Sequence, residues 1–279
     1  MPSLDTLVDD IYAVIDGNGG WDATVEKFFQ DSVADTVLYR LSEGKRSPTL
    51  RMSNLGTPCT RKLWYSINKP HTAEPLRPAT RLKFLYGDLL ESLLLSLCVA
   101  AGHDVTGVQT ELEIEGIKGH RDCIIDGVVV DIKSASTYSF KKFQSNGLRE
   151  DDPFGYLSQL SSYVYASRPE GTDPNVGAFL VIDKQHGTIC LDKYDLSEFI
   201  ETKVADINWL KTAMEHPIEP ARAYSPEPEG KSGNMKLGTV CSYCDYKAEC
   251  WTKLRTFIYS TGPMFLTHVE KLPKVPEVT

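Results

Sequence analysis

The sequence predicts an α/β protein: a central mixed sheet flanked by helices, with a helical N-terminal region and a cysteine-clipped C-terminal tail. Three observations carry that expectation. Apolar residues recur at helical spacing over 82–101, while 110–115 alternates apolar and polar as a half-buried strand does. Asp126-Gly127 and His186-Gly187 each separate two β-rich runs, which marks tight hairpins. Three of the seven cysteines crowd into CSYCDYKAEC at 241–250.

In order along the chain, residues 1–42 read as one or two amphipathic helices broken by glycines at 17–20. Residues 43–80 are loop-rich, with five prolines ending at Pro78. Phe84, Leu85, Leu89, Leu93, Leu97 and Val99 give the helix over 82–101 its apolar stripe, and Gly102 its stop. In the strand at 110–115, Leu112 and Ile114 point inward and Glu111, Glu113 and Glu115 outward. GHRDCIIDGVVVDIKSAS, 119–136, folds back on Asp126-Gly127. A helix over 156–167 and a hairpin of 176–183 with 188–192 follow. Residues 197–215 read as one long helix with Ile200, Val204, Ile207 and Met214 on one face. A loop at 217–233 leads to the cysteine trio, and the chain frays after Pro273. The expected division is a helical region 1–45, a sheet domain with its clip 46–252, and a tail 253–279.

Composition excludes several classes. With 41% hydrophobic and 24% charged residues, the 279-residue chain is neither disordered throughout nor collagen-like. The best apolar stretch, 85–101, is interrupted by Asp88 and Glu91 and falls short of the ~20 residues a membrane span needs. The acidic N-terminus lacks the basic start of a secretory signal, so a cytoplasmic protein is expected, in a host cell's cytoplasm if phage-encoded. Clustered cysteines in a reducing compartment point to metal. The net charge of −8 is uneven: Arg40 to Lys83 holds ten basic and two acidic residues, net +8, leaving −16 elsewhere. A basic stripe on an acidic body is the footprint of a polyanion-binding surface, or else a solvated face.

The hairpin at Asp126-Gly127 fixes a register by counting. Ile125 faces Val128, Ile124 faces Val129, Cys123 faces Val130, and Asp122 lies opposite Asp131. Lys133 shares the face of Asp131, because strand side chains alternate. Opposed carboxylates repel unless a divalent cation lies between them, and hard oxygen ligands suit Mg²⁺ or Mn²⁺. Lys133 can then position or help deprotonate a water, or stabilise charge on a phosphate. In the same count His120 faces Lys133, where it reads as structural.

Asp122 followed by Asp131-Ile132-Lys133 resembles the core motif of the PD-(D/E)XK nuclease superfamily. YGDLLESLLLSL, with Glu91 one turn after Gly87, resembles the GxxxE helix of its RecB-type members, and Gln159-x3-Tyr163 their QxxxY motif. The resemblance implies a restriction-endonuclease-like sheet. It also implies a catalytic set of Glu91, Asp122, Asp131, Lys133, Gln159 and Tyr163, with Glu91, Asp122, Asp131 and Ile132 holding Mg²⁺ or Mn²⁺.

Cys241-x2-Cys244-x5-Cys250 wants a fourth ligand. Cys98, Cys123 and Cys190 lie inside regular elements, whereas Cys59 sits in a loop beside Pro58. Spacing alone admits zinc or an iron–sulfur cluster. The layout, with SNLGTPCTRKLWY upstream, resembles the iron–sulfur RecB/AddB-type nucleases and their CRISPR-associated and phage relatives. That implies a 4Fe-4S cluster on Cys59, Cys241, Cys244 and Cys250. Arg51, Arg61, Lys62, Trp64 and Tyr65 would grip DNA, with core packing the alternative for the two aromatics. The resemblance thus implies a metal-dependent DNA exonuclease acting on single strands or duplex ends. Recombination, replication or CRISPR-type processing would be its setting, with a partner protein from such a pathway or an oligomeric state compatible with it. A non-catalytic nucleic-acid-binding module and a restriction-type endonuclease are the alternatives.

Overall fold

The computed structural model describes residues 2–42 and 47–278. In chain order it holds α1 (Leu7–Ile15), α2 (Ala23–Ser42), α3 (Thr60–Asn68), α4 (Pro78–Ala100), β1 (Val105–Thr106), β2 (Glu111–Ile114), β3 (Ile117–His120), β4 (Cys123–Ile125) and β5 (Val128–Ala135). Next come α5 (Thr137–Gln144), α6 (Tyr156–Ser167), β6 (Val176–Asp183), β7 (Ile189–Asp195), α7 (Ser197–Glu201) and α8 (Lys203–Glu215). The chain ends with β8 (Glu227–Pro228), β9 (Met235–Lys236), α9 (Thr239–Ser242), α10 (Lys247–Cys250), β10 (Arg255–Tyr259), β11 (Gly262–His268) and β12 (Glu277–Val278). Among the described residues no helix is long and apolar enough to cross a membrane.

Two compact units divide the chain otherwise than at 45 and 252: residues 1–56 with 77–208, and residues 57–76 with 209–279. The first is built on a mixed five-stranded sheet, β1-β4-β5-β6-β7. Only β5 and β6 run parallel, as the intervening α5 and α6 require of a crossover. Asp126 (φ 49°) and Gly127 (φ 80°) both take left-handed backbone, the two-residue turn that matches strand twist. They set Ile125 against Val128, Ile124 against Val129 and Cys123 against Val130, as the count predicts.

Alternation along β5 serves two cores. Val130 and Ile132 join Cys123, Ile125, Leu180 and Ile182 under Leu7 and Ile11 of α1 and Leu94, Leu95 and Cys98 of α4. Val129 and Ala135 join Phe179 and Val181 on the other face, against Phe140 and Phe143 of α5 and Leu160, Tyr163 and Val164 of α6. The sheet is therefore sandwiched between helices. Asp131 and Lys133 belong to the α5/α6 face but are not absorbed by its core.

Four expectations need correction. His120 does not face Lys133: β2 and β3 form a separate ribbon in which His120 pairs with Glu111. The segment 197–215 is two helices, α7 and α8, separated at Thr202. Thr60–Asn68 is a helix rather than loop, burying Leu63, Trp64 and Tyr65 between the flanking prolines. The stretch after 252 is no loose tail, because β10 and β11 pair from Arg255↔Leu266 to Tyr259↔Gly262. They centre a second antiparallel sheet, β12-β10-β11-β9-β8, which buries Phe257 and Leu266.

Candidate active site and cysteine cluster

Asp131 is 3% exposed, and its Oδ2 is buried with no hydrogen-bond partner, held only by the ion pair to Lys133 Nζ. Asp122 lies one residue past the last β4–β5 pair, and its carboxylate turns back to accept a hydrogen bond from the Ile132 amide at 2.8 Å. The third carboxylate comes from α4. A Cβ on Gly87 would stand 3.2 Å from Ser134 Oγ, so the absent side chain lets α4 lie close on β5. Glu91 lies one turn further along the same helix.

Their charges reach one another. Burial first, then the Asp122 and Asp131 carboxylates, push Glu91 up to about 9, while Lys133 opposes the shift. Burial and Asp131 push Asp122 up to about 7, against the pull of Lys133, the Ile132 amide and Gln109. Burial disfavours the Lys133 ammonium, but Asp131 and Asp122 outweigh it and raise its pKa above the ordinary lysine value. Tyr163 OH receives a 3.4 Å hydrogen bond from Gln159 Nε2. Burial lifts Tyr163 to about 12, with Asp131 and Asp122 adding to the rise. The structure thus brings Glu91, Asp122, Asp131, Lys133 and Tyr163, with its partner Gln159, within electrostatic reach of one another. Ile132 offers only its main chain, because its side chain lies in the opposite core.

Two site residues carry no sequence signal. Gln109 Nε2 donates to Glu91 Oε1 at 2.6 Å, and its own amide donates to the Asp122 carbonyl at 3.0 Å. Its left-handed φ of 48°, unusual for a side chain of its size, aims it into the cluster. Tyr156, at the start of α6, places its ring centroid 5.7 Å from Lys133 Nζ.

The second unit brings the predicted thiols within electrostatic reach of one another. Cys59 precedes the first turn of α3, Cys241 lies in α9, Cys244 in the turn after it, and Cys250 ends α10. All four are free and half-buried. Burial, then Cys244, Cys59 and Cys250, push Cys241 up to about 11. Burial also raises Cys244, with Lys62 working against it. Cys98 and Cys123 are core thiols and Cys190 sits in β7, as expected. Among the described residues, no group of three or more His, Cys, Asp or Glu side chains is arranged so that it could hold a metal ion, either here or at the carboxylates.

The DNA-gripping set fares differently. Trp64 (6% exposed) donates its indole N–H to the His216 carbonyl at 2.8 Å, and Tyr65 (1%) stacks on Tyr246 at 5.8 Å. Arg61 is tied to Glu219, the Pro220 carbonyl and Tyr65 OH. These three are internal struts of the second unit and offer neither a stacking face nor a free cation. Lys62 lies beside Cys244, and the half-buried Arg51 belongs to the first unit. The stripe is likewise divided. Arg40 pairs with Asp88 and Lys69 with Glu249, and Glu43, Lys45 and Arg46 lie outside the described residues. Arg77, Arg81 and Lys83 are exposed, with no ion pair among the described residues.

No protein-family model matches the chain, and no curated protein matches it. Among solved structures, one titled "Crystal structure of SSO0001" is similar at 17% identity and a TM-score of 0.38, covering 82% of this chain and 96% of that one.

Proposed function

We propose that the chain is a metal-dependent deoxyribonuclease, an exonuclease of the PD-(D/E)XK superfamily in its RecB/AddB-type iron–sulfur branch. One observation carries the proposal: Glu91, Asp122 and Asp131, from separate segments, lie within electrostatic reach of one another beside the β4–β5 ladder, with Lys133 ion-paired to Asp131. A structural role alone gives no reason to crowd buried acids, because each raises the ionisation cost of the others. The buried Asp131 Oδ2 meets the Lys133 ammonium and no further hydrogen-bond partner among the described residues, so a lone pair remains for a divalent ion, and the all-oxygen set suits Mg²⁺ or Mn²⁺. Glu91, Asp122, Asp131 and the Ile132 carbonyl would hold it. When bound, the ion would supply Lewis-acid stabilisation of phosphoryl oxygens and an acidified water.

The chain's own groups do the rest. Lys133, kept as an ammonium, holds a phosphodiester oxygen and offsets the negative charge that grows on it. Gln109 fixes Glu91, and the Ile132 amide fixes Asp122, so neither carboxylate swings as substrate enters. Gln159, held by the hydroxyl of the buried Tyr163 on the same face of α6, presents its amide to a neighbouring phosphate. Hydrolysis joins a water oxygen to phosphorus and breaks one ester P–O bond, the departing oxygen leaving with a proton.

The second unit supports the accompanying cluster. Four thiols with an adjacent lysine form a donor set suited to an anionic 4Fe-4S group, zinc being the alternative. The deciding experiment digests single-stranded oligonucleotides labelled at either end, with Mg²⁺, Mn²⁺ or EDTA, alongside Lys133→Ala. Stepwise shortening that requires the cation and Lys133 is expected. Cleavage that survives EDTA, or none in any metal, overturns the proposal.

A further inference from the structure

Phosphate and metal chemistry account for the carboxylates and Lys133 but leave the substrate's bases without a contact, since Trp64 and Tyr65 are buried. Another pair of rings stands beside the site. Tyr156 has its centroid 5.7 Å from Lys133 Nζ, and Phe154 has its own centroid 5.7 Å from that of Tyr156, with the planes inclined at 40°. Phe154 is the outermost of the series and 44% exposed, whereas Tyr156 leans inward on Phe143 at 5.9 Å and Phe179 at 6.3 Å.

We infer that Phe154 and Tyr156 form a nucleobase-stacking subsite, which holds a base of a single strand next to the phosphate bound at Lys133. The inference rests on the nuclease reading and adds the form of substrate: only an unpaired base offers its face to a ring.

The backbone beneath the rings is braced. Asp152 accepts hydrogen bonds from the Tyr156 and Leu157 amides, each at 2.9 Å, fixing the first turn of α6. Between the two rings, Gly155 takes φ 73°, and a Cβ there would fall 1.5 Å from the Gly56 carbonyl oxygen. The backbone carrying Phe154 is therefore pinned against Gly56 rather than free to fold the ring into the core. A lone exposed phenylalanine needs no explanation. One held on a braced backbone, tilted against a ring that lies by the site's lysine and with nearly half its surface open, is placed to stack on something. Base stacking on a protein ring tolerates any sequence, which suits a processing nuclease.

The test compares wild type with Phe154→Ala, on an oligothymidylate and on an all-abasic strand of equal length, in Mn²⁺. Phe154 is exposed, so the variant should melt with wild type. The subsite predicts that KM for oligothymidylate rises about tenfold while kcat holds within about twofold, the loss expected for one stacked base. On the abasic strand the two proteins should be equal. Equal loss on both strands, or no loss on oligothymidylate, overturns the subsite and leaves the nuclease reading standing. Should wild type cleave nothing, the nuclease reading falls and anisotropy of labelled oligothymidylate decides the subsite. Binding about tenfold weaker in Phe154→Ala then sustains it as a single-strand site; unchanged or absent binding removes it.

Discussion

The crowded carboxylates should make the metal-free protein lose stability as pH rises from 5 to 8, the reverse of ordinary acid denaturation. Glu91 stands at 4.5 in an open chain and about 9 in the fold, and Asp122 at 3.8 and about 7. A group raised on folding favours the folded state fully below its unfolded value, and that contribution is lost as pH climbs to the folded one. Each costs about 1.4 kcal/mol per pH unit across that window. Two groups over pH 5–7 set a ceiling of roughly 5 kcal/mol, a large share of the ~5–15 kcal/mol typical of a domain. Other groups barely oppose this. Asp183, Glu111, Glu170 and Glu277 are lowered, so their contributions are complete above about pH 5 and fade only in acid. Lys203, lowered by burial to about 8, acts above that value. Melting in EDTA should therefore fall by on the order of 10 °C between pH 5 and 8. Mn²⁺ should reverse the fall, more strongly at pH 8, because binding displaces fewer protons there. Glu91→Gln, which removes the most strongly raised carboxylate and leaves the Asp131–Lys133 ion pair intact, should melt higher than wild type at pH 8 without metal. A melting temperature that is level or rises across this range in EDTA would refute the crowding on which the site depends.

Further outcomes follow from the same geometry. Asp131→Ala or Lys133→Ala should lower cleavage by on the order of 10²-fold or more, and Gln159→Ala by less, since it orients substrate without carrying charge; full activity in Asp131→Ala removes the assignment. Protein purified without oxygen should be brown and hold about four irons per chain. Replacing Cys59, Cys241, Cys244 or Cys250 by Ala should bleach it and loosen the second unit, while Cys98→Ala or Cys190→Ala keeps the colour. EDTA should stop cleavage without bleaching; a colourless protein with one zinc per chain replaces the cluster but not the nuclease. Arg81→Ala and Lys83→Ala should each flatten the salt dependence of DNA binding by about one unit if that part of the stripe meets phosphate. Arg61→Ala should instead lower stability and leave the slope alone, since Arg61 is engaged with Glu219.

Where local rules govern, the sequence is a close guide. The Asp126-Gly127 turn determines three residue pairs by counting, and the apolar face that it implies for Cys123, Ile125, Val130 and Ile132 is one of the two cores. The prediction that Asp122 stands opposite Asp131 fails in a minor way: the ladder stops one pair short, because the Asp122 carboxylate takes the Ile132 amide. What pattern cannot supply is long-range approach. Gln109 has no periodicity to betray it, and it reaches Glu91 only because a left-handed residue turns the chain there. Trp64 and Tyr65 read equally as stacking platforms or core until α3 forms and buries them. The strand β11 opens on Gly262 and Pro263, residues that a strand seldom holds, so only its pairing with β10 distinguishes the two from a tail.

The structure also narrows what Lys133 can do. A lysine serves as a general base when burial drives its pKa down toward neutrality. Burial acts here too, but Asp131 and Asp122 overcome it and hold Lys133 charged. Lys203 shows the contrast within the same unit: burial outweighs the pull of Asp206, and with its ammonium donating to the Ser158 carbonyl and hydroxyl it falls to about 8. Of the roles open to Lys133 on sequence alone, taking a proton from water is the one disfavoured while Asp131 and Asp122 carry no metal. Stabilising charge on phosphate is the one they favour. A charge-bearing role is also less demanding of chemistry than of position, so Lys133→Arg should retain more activity than Lys133→Met only if the larger guanidinium fits beside Tyr156. Loss in both variants, with charge kept in one, would show that reach and shape matter as much as sign in the space bounded by Asp131 and the Tyr156 ring.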